Sequence, residues 1–386
     1  MERIYMDHAA TTPMDIRVAE AMTPIFAEVF GNPSSVHAYG RAARRYLDEA
    51  RRTMARSIHA DEKEIIFTSG GTEADNLAII GTAMANRHKG NHVITTVQEH
   101  HASLHASQYL EEQGFDVTYL PVDENGIVSL DTLKDALTDE TIVVSVMFVN
   151  NETGMIQPIE AMGELLKDHQ ACFHTDAVQA FSLLDIDVKK AGIDLLTVSS
   201  HKINGPKGIG FLYVADGVSI EAMQFGGEQE RKRRPGTENV PAAVGFQKAV
   251  ELAMENKAER NQEYSRYKEQ FIEKLARNNV EFTVNGDLEK SAASIVNISF
   301  PGTNVESLLT NFDLDGVAAS SGSACTAGSV EPSHVLAAMF GEGDERTTNS
   351  IRFSFGSFNT DENISEAADR VAKIIKRLAN GRRQNT

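Results

Sequence analysis

The chain has 386 residues, 41% of them hydrophobic and 24% charged, the balance of an ordinary globular protein with room for two domains. Its formal net charge of -18 argues against broad nucleic-acid binding. No apolar stretch reaches bilayer-spanning length, and the opening Met1-Glu2-Arg3-Ile4-Tyr5-Met6-Asp7 lacks the apolar core of a signal peptide, so a cytoplasmic protein without membrane contact is expected.

The predicted elements then alternate. A strand over 64–68 leads to a helix over 73–86, a strand over 92–96 to a helix over 102–113, and a strand over 116–120 to a helix over 130–137. The apolar, valine-rich run 141–149 suits a central strand. A helix over 159–169 and strands over 171–175, 195–198 and 210–214 follow. This alternation argues for an α/β fold with a largely parallel sheet. The charged amphipathic stretch 241–278 predicts one long helix linking two domains. Strands near 280–284, 294–300 and 350–355, with a final helix near 361–379, predict a smaller α+β domain.

Several strand ends carry residues suited to chemistry. The turn Thr68-Ser69-Gly70-Gly71-Thr72-Glu73 joins a strand to a helix. Its glycines let backbone N–H groups approach an anion, and Thr72 adds a hydroxyl. A plain helix cap explains the same residues, and the lysine of a phosphate-binding G-x-x-x-x-G-K-[ST] loop is absent. His100 follows a strand end, where it can line a crevice as an acid–base group or stack on a flat ring. His101 and His105, four apart, have the spacing of metal ligands on a helix, yet no H-E-x-x-H or CxxC accompanies them. Asn151 offers an amide at another strand end. Asp176 ends the strand of Phe173-His174-Thr175-Asp176; if buried it needs a cation, which a protonated pyridine nitrogen supplies, and capping the next helix is its alternative role. Lys202 stands in Ser199-Ser200-His201-Lys202-Ile203-Asn204-Gly205 between two predicted strands. Desolvation there lowers an amine's pKa and favours a Schiff base with an aldehyde; the alternative is a surface lysine in a hairpin loop.

The two cysteines, Cys172 and Cys325, are too few for a disulfide framework. Cys172 lies in a short apolar strand and is expected to be a buried, inert thiol. Cys325 lies among the small residues Ser320-Ser321-Gly322-Ser323-Ala324 and Thr326-Ala327-Gly328-Ser329, which present a thiol rather than bury it, so it is a nucleophile candidate or else a bystander. The basic run Arg231-Lys232-Arg233-Arg234, and those at Lys376-Arg377 and Arg382-Arg383, read as solvated faces or as a docking patch for an acidic partner or RNA.

Together these segments resemble the cysteine desulfurases of the NifS/IscS type, class V, fold-type I pyridoxal-phosphate enzymes. Asp7-His8-Ala9-Ala10-Thr11-Thr12, Asn32-Pro33-Ser34-Ser35-Val36-His37, Gly71-Thr72-Glu73, Ser199-Ser200-His201-Lys202, Arg234-Pro235-Gly236-Thr237-Glu238-Asn239, Ser321-Gly322-Ser323-Ala324-Cys325 and Ile351-Arg352-Phe353-Ser354 occur in the family's order across nearly the whole chain. The cysteine segment is similar to the group I form with its long loop. The resemblance implies a large domain over 15–255, with a mainly parallel seven-stranded sheet between helices, and a small α+β domain of 1–14 and 256–386 carrying the cysteine loop near 320–332.

It also implies roles. Lys202 carries the pyridoxal phosphate as a Schiff base and moves the substrate Cα proton. Asp176 pairs with the pyridinium nitrogen, and His100 stacks on the ring and serves as a catalytic proton-transfer group. Gln179 and Asn151 face the phenolate side. Thr72, Ser199 and His201 hold the phosphate, helped by the backbone at Gly71 and Ser200. Thr237 reaches the phosphate of the other subunit, so a homodimer is implied. Arg352 clamps the substrate carboxylate, with Asn151 nearby, and Cys325 accepts the sulfur. L-Cysteine would thus become L-alanine while a persulfide forms on Cys325. Its acceptors would be proteins of iron–sulfur cluster assembly, tRNA thiolation or cofactor synthesis. No intrinsic metal is expected, although Cys325 could share an iron–sulfur ligand role with a scaffold, and no direct nucleic-acid contact. After the last predicted helix only Gly381-Arg382-Arg383-Gln384-Asn385-Thr386 remain, whereas family members that dock such a scaffold through an extended tail have more sequence there. Selenocysteine lyase and class V aminotransferase are the alternatives within the fold. A nucleotide-binding module, suggested by Gly70-Gly71-Thr72 alone, is the alternative outside it.

Overall fold

The computed structural model describes residues 2–322 and 332–383; Cys325 lies outside the described residues. Seven strands form the main sheet in the order Ile65–Thr68, Gly210–Val214, Leu195–Ser199, Cys172–Asp176, Thr141–Ser145, His92–Thr96 and Asp116–Leu120. The inner strands are buried along their length except at Cys172, which is half-buried, as a sheet covered by helices on both faces requires of its side chains. Gly210–Val214 runs antiparallel to both neighbours, and every other pairing is parallel. This one reversal has a consequence for the site. Ile65–Thr68 and Leu195–Ser199 run the same way, and Thr68 and Ser199 both end level with Gly210. The chain ends at Thr68, Ser199 and Asp176 therefore reach one edge of the sheet, where α/β folds place their ligands.

The valine-rich run stops being regular strand at Ser145. It stays extended beside its neighbour: the N–H groups of Val146 and Phe148 donate to the carbonyls of His174 (3.1 Å) and Asp176 (2.9 Å). That path carries Met147 and Asn151 to the same edge. The expected helix over 73–86 begins earlier, at Gly71, and contains a wide π turn over Leu77–Gly81 before Thr82–Asn86. At Gly81 a Cβ would stand 2.7 Å from the Glu221 carbonyl, so only glycine lets that segment approach.

The single long helix expected over 241–278 is two helices, Val240–Glu255 and Lys257–Arg277, meeting at Asn256. Neither Pro nor Gly breaks it; tertiary contacts do. The first half packs on Ile16–Glu28 and Ala38–Ser57, the second on Asp361–Arg383. Arg260 donates to the carbonyls of Ala253 and Ser182, satisfying an acceptor that the break leaves free. The second half covers a core built on the three-stranded antiparallel sheet of Ser350–Ser354, Ile295–Ser299 and Thr283–Val284. There the Phe271 and Phe353 rings lie 4.6 Å apart, and Ile4, Met6, Phe300 and Phe312 complete the apolar cluster. This is the smaller α+β body. No described helix is long and apolar enough to cross a membrane.

Candidate active site

The carboxyl edge of the main sheet, the N-terminal segment and Arg352 of the smaller body enclose a cavity of about 290 Å³. Lys202 reaches it because the chain leaves Leu195–Ser199 through one tight turn, Ser200–Lys202, which swings the side chain back over the edge. Its Nζ donates to the carbonyls of Ala9 and Ala10, the latter at 2.9 Å.

The segment Asp7–Thr12 forms a wall of the cavity by its backbone. The Gln179 amide donates to the Ala9 carbonyl at 2.9 Å. Thr12 donates through N–H (3.0 Å) and hydroxyl (2.8 Å) to the His201 carbonyl, and His201 Nδ1 lies 3.1 Å from the Thr11 hydroxyl. Sequence reasoning gave this run no chemical role. Alanine carbonyls carry no side-chain signal, so only the fold could reveal them.

Gly71, Thr72, Ser199 and His201 are among the residues that line the cavity. Gly70 has φ +154°, a region open to glycine alone. The helix that follows begins at Gly71, so the N–H groups that have no acceptor within the helix belong to a segment whose Gly71 and Thr72 line the cavity. His201 is pushed down to about 4, by burial first and the Lys202 charge second, so its ring is neutral.

Asp176 lines the same cavity. It is buried, accepts one N–H from Val178 at 2.8 Å, and is pushed up to about 6 by burial, against the pull of that N–H and of Lys202. The cap-like bond to Val178 and a cation-seeking carboxylate thus coexist in one residue. Asp75, which the sequence analysis did not single out, lines the same cavity. Its Oδ1 is buried without a hydrogen-bond partner, 3.6 Å from His174 Nε2. Burial, then the Asp176 charge, raise its pKa well above the usual carboxylate range. Its signal was faint: an acid one helical turn after Thr72, on the buried side of the helix. Met147 was missed likewise.

His100 caps the helix His101–Glu112, and its Nδ1 accepts the Ala102 N–H at 3.1 Å. Burial foremost, then Lys202, hold it at about 4. The neutral ring therefore carries its proton on Nε2.

Arg352 and Asn151 close the remaining side. Arg352 donates to the Asn151 carbonyl (3.0 Å) and to Asp7 (2.7 Å), while its Nε is buried without a partner. The guanidinium is thus held in a fixed orientation at the cavity wall, with Asp7 as its counter-ion.

Some expected residues stand elsewhere. Ser200 is buried and its N–H donates to the Ile209 carbonyl at 3.2 Å. Thr237 is exposed and lines a separate cavity with Ser69 and Arg234. Cys172 is half-buried rather than enclosed, and burial pushes its thiol up to about 11, so it is inert by protonation. His101 stacks on His105 at 5.3 Å and meets His334 at 5.0 Å; among the described residues no cluster of His, Cys, Asp or Glu could hold a metal. The basic run is partly consumed internally, with Arg234 bound to Glu73 at 2.7 Å.

Pyridoxal phosphate fits this arrangement. One cavity lining brings together Asp176, a buried carboxyl group suited to a cation, the helix start at Gly71 with the hydroxyls of Thr72 and Ser199, and the amine of Lys202. The model of the "Aminotransferase class-V" family matches residues 4–366. The chain belongs to that family, whose members depend on pyridoxal phosphate. Within it the chain is similar to the cysteine desulfurases. It is 60% identical over 378 residues to "Putative cysteine desulfurase IscS 1" of Bacillus subtilis (strain 168), covering 98% of this chain and 100% of that protein. A solved structure titled "NIFS-LIKE PROTEIN" superposes with TM-score 0.90 at 33% identity, over 97% of this chain and 99% of that one. Another, titled "SspA in complex with cysteine", gives 0.80 at 35% identity, over 92% and 99%.

Proposed function

We propose that this chain is a pyridoxal-phosphate-dependent cysteine desulfurase, active as a homodimer, that takes sulfur from L-cysteine onto Cys325 and releases L-alanine. The observation that carries the reading is the single cavity shared by Lys202, Asp176 and Arg352: an amine, a buried anion and an oriented guanidinium. The relative named as a cysteine desulfurase and the neighbour solved with cysteine support it.

Thr72, Ser199, His201 and the N–H of Gly71 would hold the phosphate, Asp176 the ring nitrogen, His100 the ring face and Gln179 the phenolate side. Thr237 of a second copy would complete the phosphate site. When bound, the cofactor supplies an aldehyde for the substrate amine and a ring that accepts the electron pair left at Cα. The chain's own residues do the rest. Arg352 binds the substrate carboxylate, with Asn151 beside it. Lys202 takes the Cα proton, within reach of the Ala9 and Ala10 carbonyls that receive its ammonium form. The Cys325 thiolate attacks the substrate sulfur; the S–S bond forms as the Cβ–S bond breaks, and Cβ keeps the electron pair and takes a proton. L-Cysteine and one thiol thus give L-alanine and one persulfide, with no outside oxidant or reductant. The persulfide then passes to an acceptor protein of iron–sulfur cluster assembly, tRNA thiolation or cofactor synthesis.

Phe30 and Tyr39, both exposed with ring centroids 5.1 Å apart, support the homodimer as an apolar pair that a second copy would cover. The test is purified holoenzyme given L-cysteine, with alanine and Cys325-bound sulfur followed together. Both are expected in equal amounts in the first turnover. Alanine without sulfur on Cys325, amino-group transfer to a keto acid, or exclusive use of selenocysteine would each overturn the reading.

A further inference from the structure

Glu152 lies beside Asn151, on the turn that follows the cavity wall, and the mechanism above does not use it. It is 2% exposed. Its backbone is fixed on both sides: its N–H donates to Asn150 Oδ1 at 2.9 Å, and its carbonyl accepts the Asn297 amide at 3.2 Å. The carboxylate is therefore aimed by the fold. Its Oε2 accepts the Ser333 hydroxyl, and Ser333 in turn caps the helix His334–Phe340 by accepting the Leu336 N–H at 3.1 Å. The same carboxylate stands against Gly322, where a Cβ would come within 1.7 Å of Oε2 and 2.1 Å of Cδ. Gly322 itself lines the cavity of Lys202. One buried side chain thus touches the last described residue before Cys325 and, on the other side, a residue just after the described chain resumes.

We infer that Glu152 is a positioning residue for sulfur capture, fastening Gly322 and Ser333 to the cavity wall so that the chain between them starts and ends at fixed points. The inference rests on the reading of Cys325 as the sulfur acceptor. The chain between the fastened points is short, so the geometry of both ends bears on how often the thiol meets the substrate sulfur. Misplacement of reacting groups by about 1 Å costs on the order of 100-fold. Glu152 explains a glycine at 322 as well: the carboxylate occupies the space a side chain would need, and its bond to Ser333 keeps it there.

The experiment is single-turnover sulfur transfer in the holoenzyme, read as persulfide on Cys325 by mass spectrometry, with the cofactor's visible spectrum and its response to L-cysteine recorded in parallel. Glu152→Ala is expected to leave the spectrum and the cysteine-binding response unchanged while slowing persulfide formation by about 10- to 100-fold. Glu152→Gln, which keeps the shape and an acceptor oxygen for Ser333, should recover to within about threefold of wild type. Gly322→Ala should slow wild type, and its extra effect should shrink in the Glu152→Ala background, because the atoms it meets are gone; such a cycle isolates the contact. Equal persulfide rates in Glu152→Ala and wild type, or additive effects of Glu152→Ala and Gly322→Ala, would overturn the inference. A wild-type enzyme that forms alanine with no sulfur on Cys325 would instead overturn the reading of the cysteine.

Discussion

At Lys202 the amine donates to two backbone carbonyls, so the position demands a cation or an amine and nothing smaller fills it. Lys202→Ala is expected to abolish the visible band of the covalently held cofactor and to lower alanine formation by about 10³-fold or more; an unchanged band would refute the assignment. Glu99 makes a different kind of prediction. It is fully buried, accepts from the Thr96 hydroxyl (2.8 Å) and the Met147 N–H (2.9 Å), and has Oε2 without a partner. Burial pushes its carboxyl up to about 8, more than those two donors pull it down. The folded state therefore keeps a proton that the unfolded chain loses near its ordinary value of 4.5. Stability falls as pH rises through that window. Glu99→Gln removes the ionisable group while keeping an acceptor. Its melting temperature should decline less than the wild type's between about pH 5 and pH 8, as measured by differential scanning fluorimetry. Parallel curves would show that Glu99 is charged in the fold.

The segment around Glu230 shows how an element can hold a shape its own residues resist. Glu230, Arg231 and Lys232 have φ of 43°, 57° and 66°, a left-handed stretch that costs about 1 kcal/mol or more per non-glycine residue. It persists because Arg51 grips Glu230 with two 2.7 Å bonds, both side chains buried, while Glu230 also accepts the Phe67 N–H at 3.0 Å. The pair ties the segment to the strand Ile65–Thr68, next to the turn proposed to hold phosphate, and Arg234 ties it to Glu73 there. Glu230→Ala strands a buried guanidinium and should destabilise the protein by about 3–5 kcal/mol in urea unfolding. A loss below about 1 kcal/mol would mean that Arg51 finds water or another anion.

On the scale of the whole molecule, the site is incomplete in one chain if Thr237 serves a second copy, and the exposed Val36 and Phe225 mark surface that such a copy would cover. Val36→Asp with Phe225→Asp should shift sedimentation velocity from dimer to monomer and weaken cofactor retention. A dimer that survives both changes would place the interface elsewhere. The two bodies are joined by the break at Asn256, so one helix packs on the main sheet's helices and the next on the smaller core, and Arg352 of the smaller core reaches the cavity of the larger.

Much of this was legible in sequence because it is local. A strand followed by a polar residue at its carboxyl end is visible in a few neighbouring residues, which is why His100, Asn151, Asp176, Ser199 and Lys202 could be named before their meeting in one cavity was known. The alternation of strand and helix likewise dictated a mainly parallel sheet. Contacts between residues far apart in the chain could not be read. The Ala9 and Ala10 carbonyls and the commitment of the Ser200 N–H to Ile209 depend on backbone groups, which leave no side-chain pattern, and the Asp75 carboxyl shows only as one acid on a short helix. The broken helix at Asn256 carried no Pro or Gly to announce it, since packing on two separate cores outweighs the helix propensity of a continuous run. Residue types thus determined the chemistry on offer, and only the tertiary structure decided which groups share a cavity, because long-range proximity is set by the packing of elements and not by their spacing along the chain.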